Sequence, residues 1–115
     1  MNEKDLNLAL LEAFPELADE FEDYTSWQDG LETGAFLIYE DVFRPRIEKA
    51  LTDNDCIFAE RAFAYVEKLF ASGDDYAVNI VTVGILEGLK ANCDNDAVRK
   101  FLGASTLAVF NELTY

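Results

Sequence analysis

The chain has 115 residues, half of them apolar and 13% aromatic, with 23 Asp and Glu against 9 Lys and Arg, a formal charge of −14 and no histidine. Enough apolar surface is present for one domain, residues 1–115, to bury a single core, which excludes disorder. The charge argues against binding nucleic acid phosphates or anionic lipid, which need clustered Lys and Arg, and the missing His removes the side chain most used for proton transfer near neutral pH.

Leu6, Leu10, Phe14, Leu17, Phe21 and Tyr24 recur at spacings of three and four, the repeat of an amphipathic helix. Pro15 interrupts the stripe, because a proline inside a helix removes a hydrogen bond and clashes one turn back. The pattern predicts one helix over about 3–13 and a second over about 15–27, with Pro15 in its first turn. Residues 28–34 carry Asp-Gly and Thr-Gly pairs and read as a loop. Residues 35–52 suit a buried strand by composition at their start. The stripe of Phe36, Tyr39, Phe43, Ile47 and Leu51 favours a helix, interrupted around Pro45.

Asp53-Asn54-Asp55 supplies a cap for a helix reaching about Ala71, with Phe58, Ala62, Tyr65 or Val66, and Leu69 on its apolar face. Ser72-Gly73-Asp74-Asp75 is a stop followed by a start. Residues 75–91 are apolar on most sides, which marks the buried centre, with Gly84 and Gly88 expected to permit close helix contact. A turn at Asn92 to Asp96 leads to a last helix over about 95–113. The sum is an all-α domain of about six short helices. A faint echo between residues 74–78 and 94–98 suggests a solenoid-like (HEAT-like) stack, with an orthogonal bundle as the alternative.

No segment approaches the roughly 20 apolar residues of a membrane span, and the acidic start does not read as a signal peptide. Cys56 and Cys93 are too few for a disulfide framework and are expected to be buried free thiols, so the expected location is the cytoplasm. Asp53-Asn54-Asp55 and Asp94-Asn95-Asp96 each open like a calcium loop, but Ile57 and Val98 fall where an oxygen ligand is needed, and Phe58 and Arg99 where Gly is needed. Neither Cys has a His to act as base, and no serine sits in a nucleophile motif. The expectation is a non-enzyme with no metal and no cofactor.

The acid is unevenly placed. Through Asp55 there are 15 acids and 4 bases, a charge of −11, whereas the remainder carries only −3. Glu12, Glu16, Asp19, Glu20 and Asp23 share one face on continuous helical geometry, and no Lys or Arg between Asp5 and Arg44 relieves them. Asp29, Glu32, Glu40 and Asp41 extend the field, with Tyr24, Trp27 and Tyr39 interspersed. Acid with Trp and Tyr is the composition of a surface that steers and anchors a cationic partner. The candidate contact residues are Glu16, Asp19, Glu20, Asp23, Tyr24, Trp27, Asp29, Glu32, Tyr39 and Asp41. The bland alternative makes the acids a solvated surface and the aromatics core; Trp27 fits partial burial at a helix end as well as an exposed anchor. Arg44-Pro45-Arg46 is expected to pair with neighbouring acids.

Phe14-Pro15-Glu16-Leu17, the run from Tyr39 to Glu48, and Val66-Glu67-Lys68-Leu69 leading to Ser72-Gly73-Asp74 together resemble a family of small acidic all-helical bacterial proteins. Its members look like immunity proteins encoded beside polymorphic or contact-dependent growth-inhibition toxins. The resemblance spans roughly residues 10–113 and carries no functional residue across. It implies an antitoxin that binds a cognate toxin, a cationic nuclease-like domain, one to one. The rivals are a non-catalytic adaptor for a basic cellular protein, an enzyme using carboxylates alone, and a DNA mimic.

Overall fold

Capping chemistry sets most of the helix boundaries in the computed structural model, which describes residues 1–113. α1 (Glu3–Ala13) starts at Asn2, whose side chain accepts from the Asp5 amide at 2.9 Å while the Asp5 carboxylate accepts from the Asn2 amide at 3.4 Å. Phe14 and Pro15 end it, and a 3₁₀ turn, Pro15–Leu17, hands the chain to α2 (Ala18–Thr25). The residues after α2 include a second 3₁₀ turn, Gly30–Glu32, before the chain turns helical again.

α3 covers residues 35–52 without a break: α-helical over Ala35–Ile38, π-helical over Tyr39–Phe43 and α-helical over Arg44–Thr52. The expected interruption at Pro45 is thus a widened turn ahead of it. A proline ring presses on the carbonyl one turn back, here that of Asp41, and the π turn relieves that contact while the rod continues.

α3 ends in a Schellman motif: Asn54 is left-handed at φ 58°, and the Asp55 amide donates to the Ala50 carbonyl at 2.8 Å. The Asp55 side chain then caps α4 (Cys56–Ala71), accepting from the Phe58 amide at 3.1 Å. Gly73, at φ 74°, turns the chain, and Asp74 caps α5, accepting from the Ala77 amide at 3.0 Å. α5 covers residues 75–92, with a π segment at Ile80–Leu86 between α-helical Asp75–Asn79 and Glu87–Asn92.

The last predicted helix is two, α6 (Asn95–Arg99) and α7 (Ala104–Glu112). The break follows from tertiary contacts. Phe101 stacks on Phe63 with ring centroids 5.7 Å apart, and Glu67 takes the Ser105 and Thr106 amides at 2.7 and 3.0 Å. Gly103 makes room for this, since a Cβ there would lie 2.6 Å from the Glu67 carboxyl carbon.

Seven helices and no strand are present among the described residues, an all-α fold. α5 is the centre, with Ile80, Val81, Ile85, Leu86 and Leu89 buried, as its all-round apolarity predicted. α3 packs against α5, and α4 against α7, although neither pair is adjacent in sequence. These contacts gather the other helices around α5. Gly88 does permit close contact, because a Cβ there would meet the Arg44 guanidinium at 2.1 Å. Gly84 has ordinary clearance, at 3.8 Å or more.

Phe14 lies in an aromatic cluster, with the rings of Phe43, Phe58 and Tyr65 at 5.1, 5.4 and 5.6 Å. Both cysteines are free, but Cys56 is exposed and Cys93 half-buried, so the expectation of buried thiols is corrected. Cys56 is exposed because it opens α4, outside the Phe58, Ala62, Val66 and Leu69 face that is buried. Among the described residues, no helix is long and apolar enough to cross a membrane.

Candidate functional site

α2 is fastened to the body by one side only. Leu17, Phe21 and Thr25 are buried, and the Thr25 hydroxyl donates to the Phe21 carbonyl at 2.8 Å. The opposite side presents Asp19, Glu20, Glu22 and Asp23 to solvent. Among the described residues, no hydrogen bond or ion pair engages these four carboxylates. Trp27 follows in the turn after α2 and is 93% exposed, which resolves the open choice in favour of an exposed ring. Asp29 and Glu32 come after it in the chain, also exposed. This loop is held from beneath: the buried Asn7 amide on α1 donates to the Leu31 carbonyl at 3.0 Å and the Thr33 carbonyl at 2.8 Å.

Four of the predicted contact residues, Glu16, Tyr24, Tyr39 and Asp41, have other duties. Glu16 accepts two bonds from Arg61, at 2.6 and 3.2 Å, and Arg61 also donates to the Ala13 carbonyl at 3.1 Å. That bidentate bond holds the Glu16 carboxyl below its usual range and ties the 3₁₀ turn to α4, so this charge is offset. Glu12 is separated from the α2 acids by the break at Phe14 and Pro15, and it borders a hollow between α1 and α4.

Tyr39 is the clear correction. It is 1% exposed, and no partner can touch it. Its hydroxyl donates to the Leu6 carbonyl at 2.7 Å and lies 2.8 Å from the Tyr65 hydroxyl. The carbonyl can only accept, so the Tyr39 proton is spent there and Tyr65 is the donor in the second bond. Burial first, then the neighbouring Tyr65, push the Tyr39 phenol far above its ordinary value.

Tyr24 bridges to α3 instead, its hydroxyl donating to Asp41 at 2.5 Å. That bond, with some desolvation, pushes Tyr24 up to about 12, so it stays a neutral donor. Beside this bridge an open groove of about 500 Å³ runs between α2 and α3. Its α2 wall is Glu20, Asp23 and Tyr24; its α3 wall is Asp41, Val42, Pro45, Arg46 and Lys49. The last four were not singled out as contacts. The signal was available, since 42, 45/46 and 49 share one face of a helix. Arg44 and Arg46 do pair with neighbouring acids, Glu48 at 3.9 Å and Asp55 at 3.8 Å.

The site so far is a negative surface with one large exposed ring and an open groove beside it. Compared with known families, residues 7–115 match a domain of unknown function, DUF7674. The chain belongs to that family. No curated protein and no solved structure matches the chain. The DUF7674 match covers α2, the Trp27 loop and the groove together. Among the described residues, no group of three His, Cys, Asp or Glu is placed to hold a metal ion. What the arrangement does offer is attraction for a cation and an aromatic ring on which to pack it.

Proposed function

We propose that the chain is a non-catalytic binding module that captures a cationic protein through the α2 face, acting in the cytoplasm as the immunity protein of a basic, nuclease-like toxin. The observation that carries this reading is the set of four unpartnered carboxylates on α2 beside a Trp exposed at 93%. An exposed Trp costs solvation unless a partner covers it, and Trp is enriched among the residues that dominate binding energy. Like charges along a helix destabilise it by a few tenths of a kcal/mol per pair. Such a feature serves the complex, where a basic partner supplies the missing countercharge.

An inhibitor of a nuclease must occupy a surface shaped for phosphate, and a carboxylate surface mimics it. A field of this sign accelerates encounter to about 10⁸–10⁹ M⁻¹s⁻¹ at low salt, which suits a cell that must intercept its own toxin. Titrating the partner at rising ionic strength tests the electrostatic part. Affinity falling steeply with salt supports the reading, and affinity flat from low to high salt contradicts it.

A further inference from the structure

α4 turns Phe58, Ala62, Val66 and Leu69 toward the core. A helix packed on one side normally gives water a charged opposite face. Here that face is mostly apolar. Ile57 is 76% exposed, and Ala64 and Ala71 are exposed with it. Glu60 and Lys68 complete the face; at about 100° per residue, the five side chains fall within about 80° of the helix circumference. A hollow of about 530 Å³ runs along one side of this ridge, between α4 and Phe101. One of about 480 Å³ runs along the other, between α4 and α1, and Lys68 borders both.

The charges of α4 divide into two kinds. Arg61 is used inside the fold by Glu16 and the Ala13 carbonyl, and Glu67 by the Ser105 and Thr106 amides. Glu60 and Lys68 bond to nothing among the described residues. They lie four residues before and four residues after Ala64, an exposed small side chain at mid-helix. A two-fold axis through Ala64 therefore sets Glu60 of one copy against Lys68 of the other, and Lys68 against Glu60. The same operation brings Ile57 beside Ala71, while Ala64 meets its own copy and lets the helices approach closely. A surface complementary to itself in this way is what an isologous dimer requires. The chain's charge of −14 opposes association, but α4 itself is neutral, with two acids and two bases. Salt screens the acid elsewhere beyond roughly 8 Å at about 0.15 M.

We propose that α4 is a self-association face, pairing antiparallel with α4 of a second copy about a two-fold axis at Ala64. Lys100, from the segment after α6, borders the hollow beside Lys68 and adds positive charge where the partner's Glu60 is received. The proposal rests on α4 alone and is independent of the reading of the α2 face.

The test is sedimentation equilibrium at about 0.15 M salt, from micromolar to millimolar protein. The wild type should show a reversible monomer–dimer equilibrium. Glu60→Lys leaves bases facing bases across the axis, and Lys68→Glu leaves acids facing acids. Each variant alone should weaken dimerisation about tenfold or more, with helix content by circular dichroism unchanged. An equimolar mixture of the two should dimerise to within about threefold of the wild type, because every base then meets an acid. A folding defect in either variant cannot produce that recovery.

A wild type that stays monomeric up to millimolar concentration would overturn the proposal. So would a dimer that both single variants leave intact, which places the interface elsewhere, or a mixture that associates no better than its components.

Discussion

α2 and α7 are nearly the same length, 8 and 9 residues, yet they are held by opposite means. At the N-terminus of α7 the Glu67 carboxylate of α4 takes two amides, and at its C-terminus the Lys90 ammonium of α5 donates to the Phe110 and Leu113 carbonyls at 2.7 and 2.5 Å. An acid at the positive end and a base at the negative end is what the helix dipole favours. α2 has no side-chain cap at its N-terminus and no base in its last turn, and the bonds to its last carbonyls come from its own Ser26 hydroxyl and Gln28 amide, at 2.9 and 3.4 Å, rather than from another helix. Burial of Leu17 and Phe21 holds it, with the Tyr24 to Asp41 bond alongside.

The difference extends to the acids generally. Asp55, Glu67, Asp74 and Asp94 each accept from amides at a helix start, whereas the four acids of α2 hold nothing. Two populations of the same residue types therefore do different work in one small domain. The first should be expensive to neutralise for folding, and the second nearly free.

The largest effect should come from the core that both regions lean on. Phe14→Ala empties a ring-lined site touching Phe43, Phe58 and Tyr65, and should cost about 3–5 kcal/mol by urea unfolding. Glu67→Ala comes next: it strips the cap from α7 and should cost about 1–2 kcal/mol. A cost no greater than that of an α2 acid would break the comparison outright.

That same residue gives the contrast a pH signature. Burial opposes ionisation of Glu67, but the bonds from Thr106 and Ser105 prevail and hold its carboxyl below the ordinary value of 4.5. A carboxyl depressed on folding lends stability above its unfolded value and loses it as pH falls through the lower folded one. The stability gap between the wild type and Glu67→Gln should therefore be constant at neutral pH and shrink below about 4.5. On the α2 side the sign reverses. Tyr24 is raised from 10.0 to about 12 by Asp41, so its contribution is complete below 10.0 and disappears as pH climbs through about 12. An ultraviolet phenolate titration of Asp41→Asn should show one tyrosine returned toward its ordinary value.

Much of this division could be read in the sequence. The bounds of α1 match the stripe of Leu6 and Leu10 ended by Phe14-Pro15, and Asp55 and Asp74 cap where their turns suggested, because both signals are local. The break between α6 and α7 was not legible, since its causes are Phe63 and Glu67, some forty positions earlier in the chain. Tyr39 was misassigned although Phe43 and Ile47, its companions on one stripe, are buried; the stripe outweighed the attraction of an aromatic next to acid. The acidic α2 face was legible because charge has few places to go but outward. The groove was not, since it depends on how α2 seats against α3 across the Tyr24 to Asp41 bond.

The smallest expected stability effect is the most telling. Replacing Asp19, Glu20 and Asp23 together by their amides should change unfolding stability by less than about 0.5 kcal/mol or raise it slightly. Loss of several kcal/mol would place these acids with Glu67 and erase the distinction.

The central claim is that the unpartnered acids of α2 exist for a cationic protein partner. Its most direct test sets the wild type beside that triple amide variant, both tagged, in capture from cells carrying the native gene neighbourhood, with bound proteins identified by mass. The account predicts one basic protein, the neighbouring toxin domain, held one to one by the wild type and lost by the variant. The same proteins on both, or none on either while the neighbouring gene is expressed, would contradict it.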